Sequence, residues 1–403
     1  MSALRVLHVI PAVAARYGGP SVATAGICRA LNGLGISTLV ATTDADGPGR
    51  LDVRCGEVLT WDGVAAIMFP RTHSESFKRS PALARWLHEH VREFDLVHIH
   101  AVFSHACLAA ARACRAGRIP YLVRPLGTLD PWSLAHHGFR KRLLLAAGAR
   151  AALQRARGMH YTSTEEMRLA EGALPGLPTG YVVPLGVSDD LFCEPRAVAS
   201  LSAPYVLSLS RLESKKGVDV LIRAFHKLAE YHRLGPWSLQ IAGDGEPGEV
   251  DELRALANSG QAQHRITFAG WVSGPARQRM FREASLFALP SHQENFGFAL
   301  VEAMASGVPV IASPGVNLAG DILAAGAGWV ADRETFVDGL GQAMSSQTEC
   351  RSRGRAARSY ADQFRWARVG EQLIEVYNAI RGAVVHQPIR PVAQAGTPVG
   401  ATR

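Results

Sequence analysis

The chain alternates short, almost continuously apolar segments with stretches of helical periodicity, and it does so twice. In the first half these segments cover residues 4–10, 36–43, 96–100, 119–124 and 158–163. In the second half they cover residues 205–212, 238–245, 265–272, 284–291 and 308–314. Strands that are apolar on both faces are typical of parallel sheets covered by helices on both sides. The pattern therefore predicts an α/β protein with two doubly wound domains.

The domain boundaries follow from the same pattern. We expect an N-terminal domain over residues 1–185, a hinge over 186–203, a C-terminal domain over 204–363 and a closing amphipathic helix over 364–381. Residues 382–403 show no apolar period and contain several prolines and glycines, which predicts a disordered tail. Ligands of open α/β sheets bind at the carboxyl ends of the strands, so two such domains predict a site in the cleft between them.

Composition excludes several other classes. A hydrophobic content of 47% is too high for a disordered chain. No uncharged apolar run approaches the ~18–20 residues of a membrane-spanning helix. The first residues, MSALRVLHVIP, lack the features of a signal peptide. The six cysteines form no C-x-x-C pair, so we expect free thiols, no bound metal and a cytoplasmic protein.

The net charge of +8 is unevenly distributed. Residues 131–164 contain no acidic residue but six basic ones: Arg140, Lys141, Arg142, Arg150, Arg155 and Arg157. A one-sided basic surface suggests an anionic partner, such as lipid headgroups or a phosphorylated substrate. Nucleic acid is excluded as a partner because the chain has no zinc finger, no RNA-binding aromatic signature and no basic stripe interleaved with aromatics.

The segment HQENFGFALVEAMASGVPVIAS, residues 292–313, contains the strongest candidate site. Glu294 lies in a predicted loop, and Glu302 lies about one and a half turns into the helix that follows. The start of that helix offers free N–H groups and the positive end of the helix dipole, which suit a phosphate. Glu294 can accept hydrogen bonds from sugar hydroxyls. These residues alone leave open that Glu294 caps the helix and that Glu302 is a solvated surface residue.

A second candidate site is SLSRLESKKG, residues 208–217. Arg211 lies at the carboxyl end of a predicted strand, and Lys215 and Lys216 follow closely. A planar guanidinium and a point-charge ammonium together suit a diphosphate. The alternative that this segment is a solvated turn before a helix remains open.

Together these segments resemble the family-four retaining glycosyltransferases of the GT-B fold, in which two Rossmann-like domains face a cleft. The resemblance rests on R-x-x-x-x-K-G at 211–217, AGDG at 242–245, FAGWV at 268–272, and E-x7-E continued by EAMASGVPVIAS. It extends from the Gly18–Gly19 loop to the closing helix. The resemblance implies a sugar transferase that uses a nucleotide diphosphate as the leaving group.

The resemblance also implies roles for individual residues. Arg211 and Lys216 would hold the donor diphosphate, Glu302 the nucleotide ribose, and Glu294 the transferred sugar. Further implied donor contacts are Asn295, Phe296, Gly297 and Phe298, the base-reading residues Trp271 and Val272, and Gly18 and Gly19 in the N-terminal domain. His100 matches a cleft histidine beside the donor sugar, although a core or strand-end histidine is the open alternative.

The chain differs from many relatives at two positions, and it contains two motifs that are typical of other kinds of site. Many relatives have histidine where this chain has Leu126, and asparagine where it has Leu185, so Leu126 receives no role. The G-x-G-x-x-G at 243–248 carries acidic residues that would repel a pyrophosphate, and no acid follows at the spacing a dinucleotide site needs. The D-x-D of Asp44 and Asp46 lies far along the chain from the donor motifs, and we interpret it as a turn.

The implied chemistry is metal-independent transfer with retention of configuration, from a UDP- or GDP-sugar and without a cofactor. We expect a hexosyl unit to pass to a polyprenyl-diphosphate-linked glycan during surface-polysaccharide synthesis. The enzyme would then lie peripherally on the inner face of the cytoplasmic membrane. The alternatives are a GT-B enzyme that uses a soluble sugar acceptor, a sugar-nucleotide epimerase, and a catalytically inactive scaffold.

Overall fold

The computed structural model describes residues 4–73, 75–136, 138–192 and 203–382. Residues 193–202, which make up most of the predicted hinge, lie outside the described residues. The predicted tail, apart from its first residue, also lies outside them.

The described residues form two parallel sheets, a two-stranded hairpin and the helices that cover the sheets. The strands of the first half are β1 (Arg5–Val9), β2 (Ser37–Thr43), β3 (Ala45–Asp46), β4 (Gly49–Arg50), β5 (Val58–Trp61), β6 (Val64–Phe69), β7 (Leu96–His100), β8 (Tyr121–Arg124), β9 (Gly158–Tyr161) and β10 (Gly180–Val182). Those of the second half are β11 (Tyr205–Leu209), β12 (Ser238–Ala242), β13 (Ile266–Gly270), β14 (Leu286–Leu289), β15 (Val310–Ala312) and β16 (Gly328–Val330).

Helices connect most of these strands, and the last of them closes the chain. The helices of the first half are α1 (Gly19–Gly33), α2 (Pro81–His90), α3 (His105–Gly117), α4 (Pro131–Ala135), α5 (Gly138–Leu144), α6 (Arg150–Gln154) and α7 (Thr164–Ala173). Those of the second half are α8 (Val218–Glu230), α9 (Pro247–Asn258), α10 (Gly274–Glu283), α11 (Phe298–Ala305), α12 (Ala319–Ala324), α13 (Phe336–Ser345), α14 (Gln347–Ala361) and α15 (Trp366–Gly382). No helix in the described part of the chain is long and apolar enough to cross a membrane.

The first sheet has the strand order β10-β9-β8-β7-β1-β2-β6-β5, and every pair is parallel except β5 with β6. The sequence pattern identified five of these eight strands. It missed β5, β6 and β10. The residues of β5 and β10 are partly exposed and do not form a continuous apolar run, whereas β6 is such a run and was overlooked.

The second sheet has the strand order β13-β12-β11-β14-β15-β16, and all of its pairs are parallel. This is the 3-2-1-4-5-6 order of doubly wound nucleotide-binding folds. The predicted fold class, two doubly wound α/β units, is therefore confirmed. The three-residue strand β16 was not predicted from the sequence.

Helix α15 returns from the second half of the chain and packs on the first. Its first residue, Trp366, lies against Gly26 of α1, where a Cβ atom would sit 2.1 Å from the indole ring. Further along, Leu373 and Tyr377 are fully buried in the same apolar cluster as Ile27 of α1. The two halves thus share one core beneath the closing helix.

A row of buried polar side chains crosses the first sheet under α15. His8 Nδ1 lies 2.9 Å from His100 Nε2, and His98 Nδ1 lies 2.9 Å from the Tyr377 hydroxyl. His160 continues the row, with its Nδ1 3.2 Å from His98 Nε2. All four imidazoles are fully buried. Burial, the guanidinium of Arg124 and the neighbouring imidazoles hold their pKa values below 6.5, and those of His8 and His160 fall to about 3.

This row predicts that the fold loses stability in mild acid. The native histidines stay neutral, whereas the unfolded chain binds protons below pH 6.5, so the free energy of unfolding falls as pH decreases. Each histidine contributes a slope of up to ~1.4 kcal/mol per pH unit. Urea unfolding between pH 7.5 and 5.5 measures the total. His8→Gln should flatten the slope and His88→Gln, on an exposed surface, should not; equal slopes in all three proteins would contradict the prediction.

Candidate functional site

The candidate site lies where the strand order of the second sheet reverses. Strands β11 and β14 are neighbours there, and their following loops carry Arg211 and Glu294 respectively. The two loops pack tightly: Gly217 has φ +65°, and a Cβ atom there would lie 2.1 Å from the carbonyl oxygen of Pro290. Such a reversal point is where ligands of open parallel sheets bind.

Lys216 and Glu294 form an ion pair across these two loops. Their side chains are largely buried, with 12% and 18% of their surfaces exposed. The sequence predicted both residues for the site without predicting that they touch. The pair places an ammonium and a carboxylate at one point of the cleft, ready to exchange partners with an anionic ligand.

Arg211 and Lys215 share a different carboxylate, that of Glu213. The distances to its Oε1 are 3.1 Å from Arg211 and 3.4 Å from Lys215. The guanidinium of Arg211 is mostly exposed, so it can turn toward a ligand. Sequence reasoning missed Glu213, although its position inside the R-x-x-x-x-K segment was a usable signal.

Two backbone hydrogen bonds hold the loop around Glu294 in place. The Glu294 N–H donates to the Gly315 carbonyl at 2.8 Å, and the Asn317 N–H donates to the Glu294 carbonyl at 3.0 Å. Gly297 then begins helix α11 with φ +74°, and Phe296 is buried beside Phe364. The N-terminus of α11 is therefore held rigidly next to Glu294.

Glu302, predicted to bind a ribose, is paired with Arg277 of helix α10. Arg277 Nη1 donates to Glu302 Oε1 at 2.6 Å, and its second Nη contacts Oε2. Burial raises the pKa of Glu302, and the adjacent guanidinium opposes that rise. Nothing in the sequence spacing indicated Arg277, because this contact joins two different helices.

Trp271 and Val272 lie in the loop between β13 and α10, at the same carboxyl edge of the sheet. The indole of Trp271 is 72% exposed, which leaves its face free for a planar partner. Their assignment to a nucleotide base stays a prediction.

Gly18 and Gly19 begin helix α1 of the first half. Gly18 has φ 63° and ψ −127°, a conformation that only glycine adopts readily. A Cβ atom on Gly19 would lie 3.4 Å from the ring of Phe298. The glycine loop therefore contacts the start of α11, as expected for two sheets that face one cleft.

His100 is the last residue of strand β7. Its side chain is fully buried and stacks on His8, with ring centroids 5.2 Å apart. This burial favours the alternative of a strand-end histidine in the core, and a position beside a donor sugar stays a prediction.

The D-x-D segment has partners of its own. Asp44 is buried and accepts the N–H of Arg71 at 2.7 Å, while Asp46 pairs with Arg16 at 3.1 Å. Both residues hold the β3–β4 hairpin, in agreement with the interpretation of this segment as a turn.

Both halves of the chain match known families. Residues 18–186 match the family described as glycosyl transferase 4-like domain, and residues 196–360 match the family described as glycosyl transferases group 1. The two matches are consecutive and cover most of the chain.

One similar protein is the D-inositol 3-phosphate glycosyltransferase of Xylanimonas cellulosilytica. It is 29% identical over 214 residues, which are 49% of this chain and 50% of that protein. The chain spans half or less of the length of the first curated relatives that it matches.

Two solved structures share the fold. Sucrose-phosphate synthase from Thermosynechococcus elongatus has a TM-score of 0.73 at 19% identity, over 94% of this chain and 100% of that one. HepE of Anabaena, in complex with UDP and glucose, has a TM-score of 0.72 at 18% identity, over 93% of this chain and 100% of that one. At these identities the likeness shows the fold alone.

The Arg277–Glu302 pair predicts a specific stability effect. Arg277→Leu leaves a buried carboxylate without its counter-charge, and we expect a loss of about 2 kcal/mol, less than for a fully enclosed pair because Arg277 is partly exposed. Glu302→Leu combined with Arg277→Leu should recover most of that loss. Urea unfolding measures both, with the exposed Arg279→Leu as control. A double variant as unstable as the sum of its parts would contradict the prediction.

Proposed function

The chain belongs to the family-four, group 1 glycosyltransferases of the GT-B fold, and from this premise we propose that it transfers a sugar from a nucleotide diphosphate to an acceptor hydroxyl. The observation that carries the proposal is the grouping of Arg211, Lys216, Glu294 and the N-terminus of α11 at the reversal point of the second sheet. Two cations and a helix N-terminus at one point suit a diphosphate leaving group.

The position of each loop residue assigns it to one part of the donor molecule. Arg211 and Lys216 hold the diphosphate of a UDP- or GDP-sugar, and Lys216 gives up its contact with Glu294 as the phosphate enters. Glu294 then accepts hydrogen bonds from the hydroxyls of the hexosyl unit. Glu302 accepts hydrogen bonds from the ribose hydroxyls through the lone pairs that Arg277 does not occupy. Trp271 and Val272 contact the nucleotide base.

We assign the transfer to a front-face route with retention of configuration. The bond between the anomeric carbon and the β-phosphate oxygen breaks, and the acceptor oxygen bonds to that carbon from the same face. The acceptor proton passes to the departing phosphate oxygen. Arg211, Lys216 and the α11 N-terminus stabilise the charge on that phosphate. This route needs no side chain as a base, so His100, which is fully buried, is given no such role.

The two cations also make a metal unnecessary for the leaving group. Arg211→Ala or Lys216→Ala should lower kcat/KM by ~10²–10³, as expected when one electrostatic contact to the transition state is lost. Exhaustive treatment with EDTA should leave the wild-type rate nearly unchanged. Steady-state kinetics measures both effects, with Lys227→Ala on the exposed face of α8 as the matched control.

Two results would overturn this assignment. One is retention of more than about a tenth of the rate by both cation variants. The other is loss of activity in EDTA that Mn²⁺ or Mg²⁺ restores. Labelled product that forms without any acceptor would instead indicate a sugar-nucleotide epimerase, the different class of enzyme compatible with this architecture.

For the acceptor we propose a small polar molecule in solution. The support is the relative named for D-inositol 3-phosphate, whose acceptor is a phosphorylated polyol. The excess of positive charge in the first half of the chain suits a phosphorylated acceptor.

A lipid-linked glycan at the membrane surface is the second candidate, and a particular surface favours it. Trp132 of α4 and Phe139 and Leu143 of α5 are exposed apolar residues, and the side chain of Phe139 is 71% exposed. Arg140 and Arg142 are exposed beside them. Aromatic side chains and cations together suit an anionic bilayer, where each cation gains ~1 kcal/mol.

Acceptor assays and vesicle binding separate the two candidates. We expect transfer to D-inositol 3-phosphate or a similar sugar phosphate, and no co-sedimentation with phosphatidylglycerol vesicles at 0.15 M salt, where screening is strong. Transfer only to a polyprenyl-diphosphate-linked glycan would establish the second candidate instead, if binding to anionic vesicles is lost in Arg140→Glu/Arg142→Glu. Arg351→Glu/Arg355→Glu, on the exposed face of α14, is the matched control.

A further inference from the structure

The residues on either side of Glu294 both reach into the first half of the chain. Gln293 Nε2 donates a hydrogen bond to Asp130 Oδ2 at 3.0 Å. Asn295 Nδ2 donates to the hydroxyl oxygen of Thr162 at 3.3 Å. The loop that carries Glu294 is therefore attached to the opposite sheet at two points, one residue before and one residue after the carboxylate.

These contacts belong to a chain of hydrogen bonds that runs in one direction. Asn317 donates to Asn295 at 3.2 Å, Asn295 donates to Thr162, and the Thr162 hydroxyl donates to Glu166 Oε2 at 2.7 Å. Glu166 also accepts the backbone N–H groups of Thr162 and Gly127, each at 2.7 Å. The chain ends on a fully buried carboxylate whose acceptor atoms are all engaged.

The turn that follows strand β8 packs against the side chain of Asn295. Leu126 has φ +60°, and Gly127 follows with φ +69°. A Cβ atom on Gly127 would lie 2.8 Å from the side chain of Asn295. Successive residues in the left-handed region are costly for leucine, so the surrounding contacts, above all Glu166 on the Gly127 N–H, must hold this turn in place.

The proposed donor residues and the first-half residues of this network lie on different halves of the chain. Arg211, Lys216, Glu294 and Glu302 all belong to the second sheet and its helices. Thr162, Glu166 and Asp130 belong to the first. Removing one of the first-half side chains therefore loosens the contact between the two halves of the cleft and leaves Arg211, Lys216, Glu294 and Glu302 in place; of the implied donor contacts, only Asn295 loses a partner.

We propose that Thr162 and Glu166, together with Asp130, are positioning residues that fix the acceptor half of the cleft against the Glu294 loop. Their role is to bring the acceptor hydroxyl to the anomeric carbon of a donor already bound on the second sheet. This inference rests on the proposed function and extends it to the relation between the two halves.

The Thr162 hydroxyl provides the sharpest test. Thr162→Val keeps the shape of the side chain but breaks the chain of hydrogen bonds, whereas Thr162→Ser keeps the hydroxyl. We expect Thr162→Val to lower kcat for transfer by about 10–100-fold, the effect of a misplacement of the order of an ångström. Binding of UDP or GDP, measured by calorimetry, should change by less than about twofold because Arg211, Lys216, Glu294 and Glu302 are untouched. Thr162→Ser should transfer nearly as fast as wild type.

The ratio of products separates positioning from a merely structural role. In Thr162→Val and Gln293→Ala, hydrolysis of the donor by water should fall less than transfer, since water needs no placement by the first half of the chain. Small-angle scattering should show a larger radius of gyration for Thr162→Val than for wild type. Thr164→Val, exposed on the first turn of α7, is the matched control.

Several outcomes would overturn the proposal. They are wild-type transfer by Thr162→Val, a loss of nucleotide binding in proportion to the loss of transfer, or an equal loss of transfer in Thr162→Ser. Failure of the proposed function is distinguishable, because the wild-type protein itself would then neither bind a nucleotide diphosphate nor transfer a sugar. In that case the scattering comparison, which needs no substrate, still tests the contact between the halves.

Discussion

The reversal of strand order in each parallel sheet is the constraint on which the rest of the structure depends. Loops after neighbouring strands diverge to opposite faces only at that point, which leaves an opening lined by carboxyl-end loops. In the second sheet the opening lies between β11 and β14, and the loops with Arg211 and Glu294 border it. In the first sheet it lies between β1 and β7, close to the Gly18 loop. Helix α15 packs against α1, so the two halves of the chain, each with one of these openings, share an apolar core.

The charges in this opening are paired with one another. Lys216 contacts Glu294, Arg211 contacts Glu213, and Arg277 contacts Glu302. The Lys216–Glu294 and Arg277–Glu302 pairs compensate charges that are largely buried, whereas Arg211 is mostly exposed. Such pairing also favours anionic substrates, because a diphosphate replaces one carboxylate with another anion and leaves the cations compensated throughout. Prepositioned charge is what a reaction needs when its main demand is stabilisation of a leaving group.

The sequence was sufficient to predict the fold class and the loops that carry Arg211 and Glu294, but not the strand order that brings these loops together. Apolar strands, helix starts and charged loop residues are local features, and each can be read from a short window of sequence. The edge strands β5 and β10 were not predicted, because their partly exposed residues do not form the apolar run on which strand prediction relies. For His100 the sequence left two positions open, one beside a donor sugar and one in the core. In a strand covered on both faces, the period of side chains does not distinguish the two, and the structure adds that His100 is buried beside His8.

Apart from Glu213, whose partners are two residues away, the residues that sequence reasoning missed contact partners that lie far away in the chain. Arg277 is 25 residues from Glu302, and Asn295 is 133 residues from Thr162. Glu166 looked like an ordinary acidic residue in the first turn of a helix, and Ser163 does cap that helix by accepting the Glu166 N–H. Its side chain is nevertheless buried. Burial raises its pKa, and hydrogen bonds from Thr162, Gly127 and Asn295 oppose that rise. A buried carboxylate needs donors that the tertiary structure supplies, and here one of them, Asn295, comes from the other half of the chain.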